Sequence, residues 1–515
     1  MSQFNRRLRA AALTVAAGLT LAGLSVGGSG ASAAPGGAAG DGPPSTPVPI
    51  STPDGVVSAY LLNAKHANPG QTRLVERAVI RAGGVVVQTW PQIGVVVAHS
   101  DRAAFRTDVR TQAGKALESV GATRTVPVSE GTPDGVQAPW GPGRSQARAA
   151  APRAEGDTGA EVTEAVAADP LEGDQWDLRV IKADQAHAIT DGSRDVLVGV
   201  LDSGIDPDHP DLDDNIDVAD SVNCSDAGRP DTSATGWYPT TSDHGTHVAG
   251  TIAAERNGEG IVGVAPGVRM AAVKVVNDAG FIYPEYAVCG FVWAGTHGMD
   301  VTNNSYYVDP FEFYCEDQPD QYAAKEAVRR AVAWSTEQGV VHAAAAGNSA
   351  LDLSDKTSFL DQGSPDDGTP VTRTLNSGCQ DIPTELDGVV TVSASHRDDI
   401  LAYFSNRGLG IIDVAAPGRR ILSTIVAGNG YGLKSGTSMA APHVAGVLAL
   451  MKSAHPDLTP AQMVARLRAA ADDHPCTIQE TPPLPEIPFG VPCVGTDADN
   501  SYYGEGMVDA LDAVS

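Results

Sequence analysis

The 515-residue sequence predicts an α/β protein, a doubly wound parallel sheet flanked by helices and preceded by a small α+β unit of ferredoxin-like type. Three observations predict it. From Asp169 onward, five runs rich in Val, Ile and Ala (196–201, 270–276, 340–346, 389–394 and 411–414) have the near-continuous apolar character of strands buried on both faces. Stretches of helical spacing lie between or after those runs, at 183–190, 285–297, 321–338, 438–454 and 460–471, as crossover connections between parallel strands require. The length also exceeds what one ordinary core fills, so a second folded unit is expected.

Taken in chain order, Arg6, Arg7 and Arg9 precede an apolar run over 10–26, and Ala31-Ser32-Ala33 has the small-x-small form of a signal peptidase site. Residues 1–33 therefore read as a signal peptide, and the product as secreted and extracellular. The run is short, broken by Gly18 and Gly23, and not followed by basic stop-transfer residues, which argues against a membrane anchor. Residues 34–55 are rich in Gly, Pro, Ser and Ala and are expected to be disordered. Between 56 and 126 the pattern reads βαββαβ: strands at 56–62, 85–90, 93–98 and within 116–126, helices at 71–82 and 101–113, the second capped by Ser100 or Asp101. Residues 127–168 return to Pro, Gly and Ala and read as a linker, and 169–515 form the large domain.

Charge separates these units. The whole chain carries a net −28, which argues against nucleic acid as a partner. Residues 51–126 hold 9 basic and 5 acidic side chains, whereas 169–515 hold 20 basic and 51 acidic, so the small unit is suited to dock on the large one. All six cysteines, Cys224, Cys289, Cys315, Cys379, Cys476 and Cys493, lie in the large domain. An even number in an exported chain favours disulfides, and the absence of any CxxC pair argues against zinc. Cys476 with Cys493, flanking a Pro-rich loop, is the first expected pair and Cys315 with Cys379 the second.

Four motifs carry chemistry. "VLVGVLDSGID" ends an apolar strand at Asp202, "SDHGTHVAG" starts a helix at His244, "VVHAAAAGNSA" ends a buried strand at Asn348, and "GTSMAAPHVAG" starts a helix at Ser438. Singly, each residue has a bland role as a strand-end turn, a helix-start polar group, a left-handed turn residue or an N-cap. Together they form one chemistry: a serine hydroxyl needs a neutral imidazole to take its proton, a buried carboxylate to orient that imidazole, and donors for the oxyanion. A helix start favours negative charge on the substrate oxygen; Gly436 is expected to allow close backbone approach, and Ala440 and Ala441 tight helix packing. Met439 beside the nucleophile is a candidate for oxidation. His244 and His247 share a helix face, which opens a metallohydrolase alternative, although HExxH and a third ligand cluster are absent from the sequence.

These motifs, in this order, resemble the subtilisin family of serine proteases over essentially all of 169–515. The resemblance implies Ser438 as nucleophile, His244 as general base and acid, Asp202 as orienting carboxylate, and Asn348 with the Ser438 N–H as oxyanion donors. It makes His247 structural. It also implies substrate contacts at Ser305, Tyr306, Tyr307 and Gly347, with one departure: in "NNSYYVDP" two tyrosines follow Ser305 where subtilisins have paired glycines farther along the strand, so the primary pocket is narrowed or reshaped. No cofactor is required for the chemistry. A structural calcium is expected from Asp169, Asp211 and Asn257 with the carbonyls of Glu255, Glu259 and Ile261, oxygen donors of the kind calcium takes. Residues 56–126 resemble the family's propeptide, a folding aid and transient inhibitor, with maturation inside 127–168. The expected partners are protein or peptide substrates and the propeptide, with no nucleic acid, no membrane, and a monomeric product. Alternatives are a narrow peptide-processing protease and an inactive secreted binding protein on a protease fold.

Overall fold

The computed structural model describes residues 43–129, 168–398, 400–476 and 492–515, all within one compact unit, Ala39–Ser515. The expected signal peptide and nearly all of the expected linker with its maturation site lie outside the described residues.

The N-terminal layer consists of β1 (Ser58–Ala64), α1 (Pro69–Arg81), β2 (Val85–Trp90), β3 (Val95–Ser100), α2 (Phe105–Ala113) and β4 (Leu117–Ala122). Its antiparallel sheet has the order β2-β3-β1-β4. Helix α1 begins where Asn68 Oδ1 accepts the Gln71 N–H at 2.9 Å and Pro69 supplies the first helical φ. Helix α2 starts later than expected and without a side-chain cap, because Ser100 Oγ accepts from Arg102 N at 3.3 Å in the preceding turn.

The expectation of disorder over 34–55 is corrected for 43–55. This Pro-rich strap has few N–H groups to satisfy, and acceptors elsewhere meet several of them. Ser45 donates through N and Oγ to the Asp317 carboxylate at 2.8 and 2.6 Å, Thr46 N donates to Thr374 O at 3.0 Å, and Ile50 is buried.

The large domain follows. It comprises α3 (Trp176–Val180), α4 (Ala183–Ala186), β5 (Leu197–Asp202), β6 (Val222–Asp226), β7 (Arg229–Asp231), α5 (His244–Ala253), β8 (Arg269–Lys274), α6 (Pro284–Thr296), β9 (Val301–Asn304), β10 (Tyr314–Cys315), α7 (Pro319–Glu337) and β11 (Val341–Ala345). Beyond these lie β12 (Leu360–Asp361), β13 (Arg373–Thr374), β14 (Cys379–Gln380), β15 (Val389–His396), β16 (Ile400–Leu401), β17 (Val414–Pro417), β18 (Ile421–Ile425), β19 (Gly430–Lys434), α8 (Thr437–Ala454), α9 (Pro460–Ala470) and α10 (Ala510–Val514). The central sheet runs β16-β15-β11-β9-β5-β8-β6-β7, with β17 also on β15, and is parallel except for β7 and β16. Its apolar strands are covered on one face by a core around α5 and α8 and on the other by a core around α6 and α7. The strand expected at 411–414 begins only at Val414, because Ile411 and Ile412 turn back to Gly408 O at 3.1 Å each. Among the described residues no helix is long and apolar enough to cross a membrane.

The N-terminal sheet lies on α6 and α7. Asp320 at the start of α7 accepts from Ala122 N at 2.9 Å and pairs with Arg106 at 2.6 Å. Glu285 at the start of α6 accepts from Thr123 Oγ1 at 3.2 Å and forms a buried ion pair with Arg124, whose guanidinium lies 3.9 Å from the Tyr283 ring centroid. Acidic groups in the first turns also suit the helix dipoles. Three disulfides close the large domain: Cys315–Cys379 and Cys476–Cys493, as expected, and Cys224–Cys289.

Candidate active site

Four positions make up the candidate site, each at a strand end or a helix start. Asp202 is the last residue of β5 and is buried; Ser203 N donates to its Oδ1 at 2.7 Å. His244 is the first residue of α5, and its Nδ1 lies 2.9 Å from both Asp202 oxygens. Burial opposes a charged imidazole there, but the charge and hydrogen bond of Asp202 outweigh it and hold the His244 pKa above its ordinary value. An Nδ1–H facing Asp202 leaves Nε2 free to accept a proton.

Ser438 is the second residue of α8, so its N–H belongs to the first turn, whose donors have no partner within the helix. Its Oγ lies 3.3 Å from Ser305 O and makes no hydrogen bond to His244 among the described residues. Unliganded serine–histidine contacts are commonly loose and close on substrate. The serine backbone is tied down: Ser305 Oγ donates to Ser438 O at 2.9 Å and receives Asn303 Nδ2 at 2.9 Å. Asn348 follows β11, and its Oδ1 accepts from Thr437 N at 2.8 Å and Thr437 Oγ1 at 3.0 Å. With the oxygen held, Nδ2 remains a donor that no described residue uses. Thr437 is thus a positioning residue, present in "GTSMAAPHVAG" but not singled out from sequence; its place immediately before the serine was the available signal.

Gly347, at φ +99°, is required: a Cβ there would lie 2.3 Å from Asn406 Nδ2. Gly436 is not the tight glycine expected of it, since a Cβ there would meet Asn348 Nδ2 and Oδ1 and Ser438 N at 3.6 Å each, an ordinary contact distance. Close packing of α8 rests instead on buried Ala440 and Ala441 and on Gly446, where a Cβ would fall 2.5 Å from Val264 Cβ. His247 accompanies His244 on α5 but is turned inward, its Nε2 3.1 Å from both Ile421 O and Gly432 O. Burial pushes its pKa down to about 3, and the neutral ring ties α5 to the β18–β19 hairpin.

Beyond β9 the chain passes Ser305, Tyr306 and Tyr307. Tyr306 OH donates to Asn304 Oδ1 at 3.1 Å, and Tyr307 OH to Asp366 Oδ2 at 2.9 Å, so a hydrogen bond holds each ring. Away from the cleft, Asp169 Oδ1 accepts Gly258 N at 2.6 Å, Asp211 Oδ2 accepts Ile261 N at 3.0 Å, and Asn257 Oδ1 accepts Glu259 N at 2.9 Å. Asp169 Oδ2 and Asp211 Oδ1 are buried without a partner. Two inward carboxylate oxygens with no donor fit a hard cation. Burial, with the nearby Asp169 charge adding to it, raises the Asp211 pKa to about 6. The Glu255 side chain turns away and accepts from Asp214 N at 2.8 Å, leaving only its carbonyl for such a site.

Several known proteins are similar to this chain. Subtilisin E of Bacillus subtilis is 36% identical over 291 residues, which are 56% of this chain and 64% of that protein. The matched stretch therefore spans less than two thirds of that relative. Subtilisin DY of Bacillus licheniformis is 31% identical over 334 residues, 65% of this chain and 96% of its own length. Among solved structures, fervidolysin from Fervidobacterium pennivorans, described as a keratinolytic enzyme related to subtilisin, superposes with TM-score 0.59 at 23% identity, covering 90% of this chain and 61% of that one. The epidermin leader peptide processing serine protease of Staphylococcus aureus superposes with TM-score 0.60 at 20% identity, covering 89% and 98%. The profile of the subtilase family, Peptidase_S8, matches residues 193–506, more than half of the sequence, and the chain belongs to that family.

Proposed function

We propose that the protein is a secreted serine endopeptidase made as a proenzyme, with 56–126 as propeptide and 169–515 as catalytic domain. His244 Nε2 takes the Ser438 Oγ proton as Oγ attacks the scissile carbonyl carbon; Asp202 stabilises the resulting imidazolium. Asn348 Nδ2 and the Ser438 N–H donate to the oxyanion. Collapse of the tetrahedral species transfers the proton from His244 to the leaving amine and leaves an acyl group on Ser438 Oγ. Water, deprotonated by the same imidazole, then releases the acid. The observation that carries this reading is the His244–Asp202 contact at 2.9 Å beside an Asn348 whose oxygen is held by Thr437 and whose nitrogen is free.

In this reading the first-turn contacts of Glu285 and Asp320 with the N-terminal sheet support a docked propeptide, and its removal inside 127–168 releases the enzyme. Asp169, Asp211 and Asn257, with the carbonyls of Glu255, Glu259 and Ile261, would hold calcium, which braces the loops before and after α5 and takes no part in the chemistry. The test is the N-terminal sequence and intact mass of the secreted product, wild type beside Ser438→Ala. Autoprocessing predicts a wild type that starts between 127 and 169 and a variant that keeps its propeptide; identical processing of both would refute self-maturation. Failure of a fluorophosphonate to label Ser438 would refute the nucleophile.

A further inference from the structure

Strands β9 and β11 are parallel neighbours, and their extensions, 305–308 and 346–349, separate at the carboxyl end of the sheet. On the serine endopeptidase reading, a substrate carbonyl seated against Ser438 Oγ and Asn348 Nδ2 would send its side chain into the crevice between these extensions, at the carboxyl ends of the strands. Asp381 closes that crevice. On one side, a methyl group on Gly347 would lie 3.7 Å from Asp381 Oδ2. On the other, Val308 N donates to Ile382 O at 2.9 Å, so the residue after Asp381 is bonded to the opposite wall. The backbone is fixed further by the β10–β14 pairing and the Cys315–Cys379 disulfide, which end immediately before it.

Among the described residues none donates a hydrogen bond to the Asp381 side chain. The residue is 2% exposed, its Oδ1 is buried without a hydrogen bond, and no described residue donates to Oδ2. Glu312 approaches from the 309–318 segment, held by Ser349 Oγ at 2.9 Å, and Glu385 receives the Asp381 N–H at 2.6 Å. Of the cations, Lys356 acts on the group, but its ammonium is engaged by Glu385 at 2.6 Å and Leu353 O at 2.9 Å. Asp381 and Glu385 thus share the Lys356 ammonium, and Glu312 adds a further negative charge beside Asp381. An unpaired buried carboxyl is costly to keep and is found where a ligand completes it.

We propose that Asp381, with Glu312 beside it, makes the primary pocket specific for arginine and lysine, so that the enzyme cleaves after basic residues. The inference rests on the serine endopeptidase reading. A basic side chain entering between the two walls brings its cation to Asp381 Oδ2, and a neutral or acidic one leaves the carboxyl unpaired.

The test compares mature wild type and Asp381→Asn on peptidyl aminocoumarin amides ending in Arg, Lys, Phe or Leu. Wild-type kcat/KM for Arg is expected to exceed that for Phe by about 100-fold, and Asp381→Asn to lower that ratio by about 100-fold. A wild-type ratio at or below one, or a ratio kept by the variant, overturns the proposal. Benzamidine supplies a second readout that needs neither turnover nor a folded variant: it should raise the wild-type Tm and compete with fluorophosphonate labelling, and no Tm shift at millimolar benzamidine counts against the pocket. Wild type that labels at Ser438 but prefers Phe refutes this inference alone; wild type that does not label refutes the endopeptidase reading, while the benzamidine Tm shift still decides the pocket.

Discussion

At the face beneath the N-terminal sheet, Glu285 and Asp320 are each met by an arginine, whereas at the cleft Asn348 Nδ2 and the Asp381 carboxyl have no partner and Ser438 Oγ has only a carbonyl. Both regions lie at helix starts on the one parallel sheet, the first at α6 and α7 and the second at α5 and α8. Glu285 and Asp320 are neutralised within the chain, although Glu285 Oε2 is buried without a hydrogen bond among the described residues; on the proposed reading the cleft groups are met by a substrate. Buried polarity is therefore informative only after its partners have been counted.

Breaking the cleft outright should have the largest effect. Ser438→Ala is expected to lower kcat by about 10^6-fold, because nucleophile and base act as one unit; single-turnover assays with active-site titration measure it. Arg124→Ala strands Glu285 in a site where both side chains are almost fully buried, and should destabilise the intact Ser438→Ala chain by about 3–5 kcal/mol in urea unfolding. A loss under 1 kcal/mol would mean that the two regions do not differ as described. Asn348→Ala should cost about 10^2- to 10^3-fold in kcat with little change in KM, since its donor meets charge that exists only in the transition state.

Smaller effects sharpen the contrast through pH. The base must be neutral, and Asp202 holds the His244 pKa above 6.5, so kcat/KM should rise with pH through a midpoint above that value. Asp211 titrates in the folded, metal-free chain at about 6 against an ordinary 3.8, so the native state binds the extra proton between those values. Its contribution to stability is then present below pH 3.8 and lost by about 6. With EDTA, Tm should fall from pH 4 to pH 7; calcium should restore it at pH 7, and Asp211→Asn should flatten the pH dependence attributable to this group.

Much of this was legible in the sequence, for physical reasons. Strands buried on both faces announce themselves as apolar runs, and β5, β8, β11 and β15 lie where those runs are. Asp202, His244, Asn348 and Ser438 stand at strand ends and helix starts, which motif spacing reveals, and the structure brings Asp202 and His244 into contact. The four-residue β9 makes no apolar run of its own, so only the family resemblance pointed to a strand there; the Ser305 that follows it anchors Ser438. The strap 43–55 was read as disordered because its partners, Asp317 and Thr374, are about 270 and 330 residues away. Asp381 was missed for the same reason: "GCQDIPTEL" carries no motif, and only the fold places it against Gly347.

The strap and the two arginine pairs have a consequence for kinetics. Their contacts join 43–129 to 282–376 and do not run through 130–167, so a cut in that interval would leave them intact. Cutting would instead change molecularity. What had been an intramolecular contact at fixed effective concentration would become a complex of two chains, and its survival would depend on dilution. In concentrated solution a cut molecule would keep its own fragment, and on dilution it would lose it by mass action.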